Sequence, residues 1–227
     1  MPAWTVAIET VATAGSVALV APDGSVNELV LPAESRSART LAAAIQKIWQ
    51  DAGRPPIELV AVAHGPGSFT GLRVGVITAK ALAYAWRAKL IGVNTLDAIA
   101  AQIDSLPGQQ LHVILEAQRQ ELFVAKFRAL ENGHWERTAA DEIIAVPQWL
   151  TDLQTAEETI VAGPALKKLR EKIPLTVSVA EEATWQARAA TVGRLGRAQN
   201  EAGAADELWT LLPHYLRVSY AEEKKKN

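Results

Sequence analysis

Twelve consecutive residues, His64-Gly65-Pro66-Gly67-Ser68-Phe69-Thr70-Gly71-Leu72-Arg73-Val74-Gly75, hold the chain's best-placed chemistry. Gly65 and Gly67 open torsions closed to other residues, and Pro66 fixes one between them. Ser68 and Thr70 are placed to cap a helix starting near Gly71. A row of free backbone N–H groups at such a terminus attracts anions, so phosphate contact is one reading. The spacing is not that of a nucleotide loop. Gly71 is followed by Leu72 and Arg73 rather than Lys and Ser or Thr, and the dinucleotide fingerprint needs its third glycine one residue earlier. A tight strand-to-helix turn held by glycine is the preferred alternative.

Other reactive side chains are sparse. The chain has no cysteine, so thiolate chemistry and disulfides are absent. Its histidines are His64, His112, His134 and His214, none with a second imidazole one helical turn away, and no metal site is expected. Ser68 and Thr70 have no identifiable base beside them. Glu9 is a lone acid at a strand end, where a surface role serves as well as a catalytic one.

These residues need a scaffold, and the sequence describes one. Residues 5–9 and 16–21 form a hairpin pattern, and 26–31 supply a third strand after the Asp23-Gly24 turn. Residues 38–52 are helical in period and stop at Gly53-Arg54-Pro55-Pro56. A buried strand at 59–63, a helix from about 71 to 86, a strand at 90–93 and a helix capped by Thr95 follow. The signal lapses at Ser105-Leu106-Pro107-Gly108, which places a domain boundary between 1–104 and 105–227.

The second part opens like the first. Strands are predicted at 111–116, 121–130 and 135–144, a short helix at 147–153, a strand at 159–162, a helix at 166–172, a strand at 175–180 and a helix over 184–202. Meander followed by alternation, twice over, predicts an α/β protein of two ribonuclease-H-like domains, each a mixed sheet with helices, duplicated at the level of pattern.

Composition limits what such a protein can do. Of 227 residues 49% are hydrophobic and 21% charged, which fits a globular protein, and no apolar run is long enough for a bilayer. The start, Met1-Pro2-Ala3-Trp4, lacks the pattern of a secretion signal, so a cytoplasmic location is expected. With 23 basic against 25 acidic residues no global field draws the chain to nucleic acid. The run Glu222-Glu223-Lys224-Lys225-Lys226 reads as a solvated end. The tryptophans Trp4, Trp49, Trp86, Trp135, Trp149, Trp185 and Trp209 lack basic neighbours in the pattern of base stacking and are expected to be packing residues.

The two early helices carry the interaction argument. Gly71, Gly75, Ala79 and Ala83 recur every fourth residue and make a flat ridge that another backbone can approach. Leu41, Ala42, Ile45, Ile48 and Trp49 give the first helix more apolar surface than one sheet-facing stripe requires, and Leu72 and Val76 flank the ridge of the second. Either the ridge packs the helices on their own sheet, or it receives a partner.

The chain resembles the bacterial TsaB (YeaZ) family of the actin, Hsp70 and sugar-kinase superfamily, nearly end to end. The matching residues are Ala7-Ile8-Glu9-Thr10 with Gly15-Ser16-Val17-Ala18-Leu19, the block from Gly65 to Gly75 continuing through Ala79-Lys80-Ala81-Leu82-Ala83 to Gly92-Val93, Glu116-Ala117-Gln118 with Glu121-Leu122-Phe123, and Pro213-His214-Tyr215-Leu216-Arg217. Glu9 stands where aspartate is usual, Gln118 where arginine is, and residues 35–39 lack the histidine and acid common in that loop. The family motif turn comprises Gly65, Pro66, Gly67, Ser68, Phe69, Thr70, Gly71 and Arg73.

The resemblance implies a non-catalytic assembly subunit that binds and orders the catalytic paralogue TsaD. That complex transfers a threonylcarbamoyl group to the adenosine beside the tRNA anticodon, position 37. It implies the ATPase TsaE as a further partner reached through the heterodimer, tRNA contact only through the complex, and no cofactor held by this chain alone, with room for a nucleotide at the interface with TsaD. Leu41, Ala42, Ile45, Ile48, Trp49, Leu72, Gly75, Val76, Ala79 and Ala83 then form the partner-binding surface, which could also pair two copies as a homodimer. The alternatives are an independent ATP-dependent small-molecule kinase and, with less support, a peptidase.

Overall fold

Apolar alternation and tight turns build the first sheet strand by strand. The computed structural model describes residues 4–32 and 38–217. Strands β1 (Trp4–Glu9), β2 (Ser16–Val20) and β3 (Val26–Val30) form the antiparallel meander; β4 (Ile57–Gly65) and β5 (Lys89–Asn94) add in parallel, giving the order β3-β2-β1-β4-β5. Helix α1 (Ala38–Asp51) precedes β4, α2 (Phe69–Trp86) links β4 to β5, and α3 (Thr95–Ala100) follows β5.

Alternation along the strands sorts two faces. Val6, Ile8, Val17, Leu19, Val60 and Val62 point to one, where Leu41, Ile45 and Ile48 of α1 and Val76, Ala79 and Ala83 of α2 complete a core. Helix α6 (Ala189–Glu201) lies on the other. A Cβ on Gly193 would come 2.7 Å from Val20, and one on Gly196 2.7 Å from Ala61, so only glycine lets this helix sit so near the sheet. Ser16 and Glu28 accept the N–H groups of Ala189 and Ala190 at the start of α6, satisfying donors that the helix itself cannot.

The expected boundary at 104/105 is therefore incomplete. One compact unit runs up to residue 98 and includes 187–214, and the other takes 99–186 and the residues from 215. Glycine-mediated contact of α6 with the first sheet carries that segment back, a three-dimensional fact that chain order conceals.

The second unit contains β6 (Gln110–Glu116), β7 (Glu121–Ala129), β8 (Trp135–Arg137), β9 (Glu142–Ala145), β10 (Thr159–Ala162) and β11 (Ser178–Val179). Its path β8-β7-β6-β10-β11 repeats the first sheet's order and strand senses, with β9 as an extra partner of β7. Helices α4 (Val146–Leu153) and α5 (Leu166–Leu169) pack Trp149, Leu153, Leu166 and Leu169 against Ile114, Leu122, Val124 and Val161.

Several predicted elements are shorter. Residues 135–144 are two strands, because the chain bends between Arg137 and Asp141, which are joined as an ion pair. The helix at 166–172 ends in a 3₁₀ turn, the strand at 175–180 pairs only over β11, and α6 starts at Ala189 rather than near 184. No described helix is long and apolar enough to cross a membrane. The altered loop at 35–39 lies in part, and the acidic-basic run at 222–226 wholly, outside the described residues.

Candidate functional site

The glycine turn is a site of close contacts. Gly65 and Gly67 have φ of 130° and 148°, the region that favours glycine, and Gly65 meets Pro66 through a cis peptide. Ser68 caps α2 by accepting the Gly71 N–H at 3.3 Å; Thr70 lies exposed within the first turn. The Arg73 guanidinium sits 3.9 Å from the Phe69 ring centroid. Thr10 donates its hydroxyl to the Gly71 carbonyl at 2.7 Å, and a Cβ on Gly71 would collide with the Thr10 carbonyl oxygen.

Glu9 is not a surface acid. It is fully buried, and its Oε1 accepts the Val11 and Ala12 N–H groups at 2.6 and 2.9 Å, so this carboxylate shapes the hairpin tip.

The expected partner surface is resolved against the sequence reading. Leu41, Ile45, Ile48, Leu72, Gly75, Val76, Ala79 and Ala83 are all buried within the first unit. The ridge faces inward: a Cβ on Gly75 would collide with the Thr10 hydroxyl, and Ala79 and Ala83 lie on the sheet core. Small residues let α2 approach its own sheet, the reading that competed with partner docking. Trp49 is half-buried, its ring tilted against that of Trp86 at 5.6 Å between centroids, with its indole N–H on the Pro55 carbonyl at 2.8 Å. Of the ten residues, Ala42 alone is exposed.

Another face of α2 is open instead. Ile77, Ala81 and Tyr84 fall at i, i+4 and i+7, on one stripe in solvent, with Ile77 and Tyr84 at 67% and 68% exposure. Trp209 and Leu212 are 73% and 69% exposed, and the Trp209 ring lies 5.9 Å from that of Tyr84. The expectation that every tryptophan is a packing residue therefore fails at Trp209. Sequence reasoning missed this set because a stripe of small residues drew attention to the buried side. The signal was present in the spacing of Ile77, Ala81 and Tyr84.

Two of the four histidines meet, and the other two stand apart. His64 and His214 lie 5.9 Å apart by ring centroid, and burial pushes the His64 imidazole below its usual pKa. His112, on the second sheet, is held at about 4, chiefly by burial and then by the Lys126 ammonium opposite it in register. His134 is exposed. Among the described residues no group of three or more His, Cys, Asp or Glu is placed to hold a metal ion.

Comparison with known proteins adds the following. The family model described as "TsaD: tRNA N6-adenosine threonylcarbamoyltransferase" matches residues 30–221. A Bacillus subtilis protein described as tRNA threonylcarbamoyladenosine biosynthesis protein TsaB is 26% identical over 96% of both chains. An Escherichia coli protein of the same description is 30% identical over 61% of each. The solved structure of YeaZ from Pseudomonas aeruginosa superposes with a TM-score of 0.74 at 21% identity, covering 94% of this chain and 100% of that one, a likeness of fold.

Proposed function

We infer that this chain, which belongs to the tRNA N6-adenosine threonylcarbamoyltransferase (TsaD) family and to its TsaB (YeaZ) branch, is a non-catalytic assembly subunit that binds and orders a TsaD chain. The complex transfers a threonylcarbamoyl group to adenosine 37 of tRNA. The observation that carries this reading is the open apolar stripe of Ile77, Ala81 and Tyr84, which leaves large side chains in water on a helix whose opposite face is fully packed. Aromatic anchors of this kind dominate protein interfaces.

The docking face is accordingly this stripe and not the buried ridge proposed from spacing. TsaE joins through the heterodimer, tRNA is met through the complex, and a nucleotide, where one is used, sits at the interface with TsaD rather than in this chain alone. The same stripe pairs two copies when TsaD is absent, and the complex works in the cytoplasm.

Reconstitution tests the reading. Purified TsaD and TsaE with threonylcarbamoyl donor and unmodified tRNA should modify adenosine 37 only when this chain is added. Full modification without it would overturn the assembly role, and turnover of Mg-ATP with a small-molecule acceptor by this chain alone would put a kinase role in its place.

A further inference from the structure

Residues 202–214, which follow α6, form neither helix nor sheet strand, yet they are fixed to the first unit at several points. The Asp206 N–H donates to the Leu90 carbonyl at 2.8 Å, and its Oδ2 accepts the Gly92 N–H at 2.7 Å. Lys80 Nζ, from α2, donates to the carbonyls of Trp209 and Leu211 at 3.1 and 3.2 Å. The His214 N–H donates to the His64 carbonyl at 2.6 Å. Leu211 is buried in the core of the first unit, while its neighbours Trp209 and Leu212 stay in solvent.

That division is unusual for apolar residues. A free segment gains most by burying its tryptophan, the side chain with the largest apolar area. Here backbone carbonyls are gripped by an ammonium and the indole is displayed beside Tyr84. The fastening thus sets where the ring stands without covering it, and it comes from the helix that carries the open stripe.

We propose that residues 206–214 are a strap, clasped at its middle by Lys80, which supplies Trp209 and Leu212 as one half of the face that receives the TsaD chain. This rests on the assembly reading above. Strap closure and partner binding are then linked: only the clasped form presents a continuous apolar surface, so affinity scales with the fraction clasped.

The test uses the full chain and purified TsaD. In Lys80→Gln, hydrogen exchange of the amides at 209–212 and 214, corrected for intrinsic rates, should quicken at least tenfold while β1 and β4 amides keep their protection. TsaD affinity should fall severalfold or more, and Lys80→Arg should recover part of both losses. Trp209→Ala should weaken TsaD binding with strap exchange unchanged, and TsaD should slow strap exchange in the parent chain. Unaltered strap exchange in Lys80→Gln, or a loosened strap with unaltered TsaD affinity, overturns the strap alone. Failure of the parent chain to bind TsaD overturns the assembly reading and the docking half with it. Slowing of strap exchange by self-association but not by TsaD makes a second copy the occupant and overturns the partner named here.

Discussion

The two units repeat one strand order with the same strand senses, yet they seal their sheets with opposite kinds of side chain. In the first, Gly71, Gly75, Ala79 and Ala83 bring α2 down on one face, and Gly193 and Gly196 bring α6 down on the other. In the second, the fully buried Trp149 with Leu153, Leu166 and Trp185 fills the space above a sheet face. That face also carries His112, because alternation along β6 places it with Ile114. A sheet sealed by small residues fails when one is enlarged; a sheet sealed by large ones, with an imidazole at the margin of the core, fails when that imidazole is charged.

Enlarging the first seal should have the largest effect. Gly71→Val drives side-chain atoms into the Thr10 backbone and should cost upwards of about 3 kcal/mol. Loss of the folded signal in denaturant titration is expected, whereas Leu153→Met in the second unit should cost under about 1.5 kcal/mol. Equal costs would remove the contrast.

Acidification probes the second seal. The unfolded His112 imidazole titrates near 6.5 and the folded one at about 4, so between these values the unfolded chain binds more protons and stability rises with pH. Lowering the pH from 7 to 4 should remove about 3 kcal/mol from this source. Urea midpoints followed against pH should fall less steeply for His112→Leu than for the parent. His64 acts in the same direction in the first unit, so a residual slope in His112→Leu is expected.

The open stripe separates stability from association. Tyr84→Asp should lower TsaD affinity tenfold or more, about 1.4 kcal/mol, with thermal unfolding displaced only slightly. A large fall in unfolding temperature would mean that this face, too, belongs to the fold. The smallest effect is expected at Ser16→Ala, which removes the hydroxyl that accepts the Ala189 N–H and should cost about 1 kcal/mol, read as earlier unfolding of α6.

Much of this was legible in the residues. The meander at β1 to β3, the buried β4, the glycine turn and both sheets follow from alternation, apolar runs and turn residues, each a local property of about ten positions. The short pieces were less legible. β11 has two residues and α5 four, too few for a period to emerge, and their limits are set by what packs on them. Of the candidate site, the glycine turn and the cap at Ser68 were readable, while the orientation of the α2 ridge was not.

The sequence by itself determined two mixed sheets of a shared pattern, and a helix with one stripe of small residues and another of Ile77, Ala81 and Tyr84. Only the tertiary structure decided that α6 and the 206–214 segment return to the first unit and that the small stripe is the buried one. Periodicity states which residues share a face, but burial depends on what distant chain arrives there. Thr10, sixty-one residues before Gly71, is that arrival.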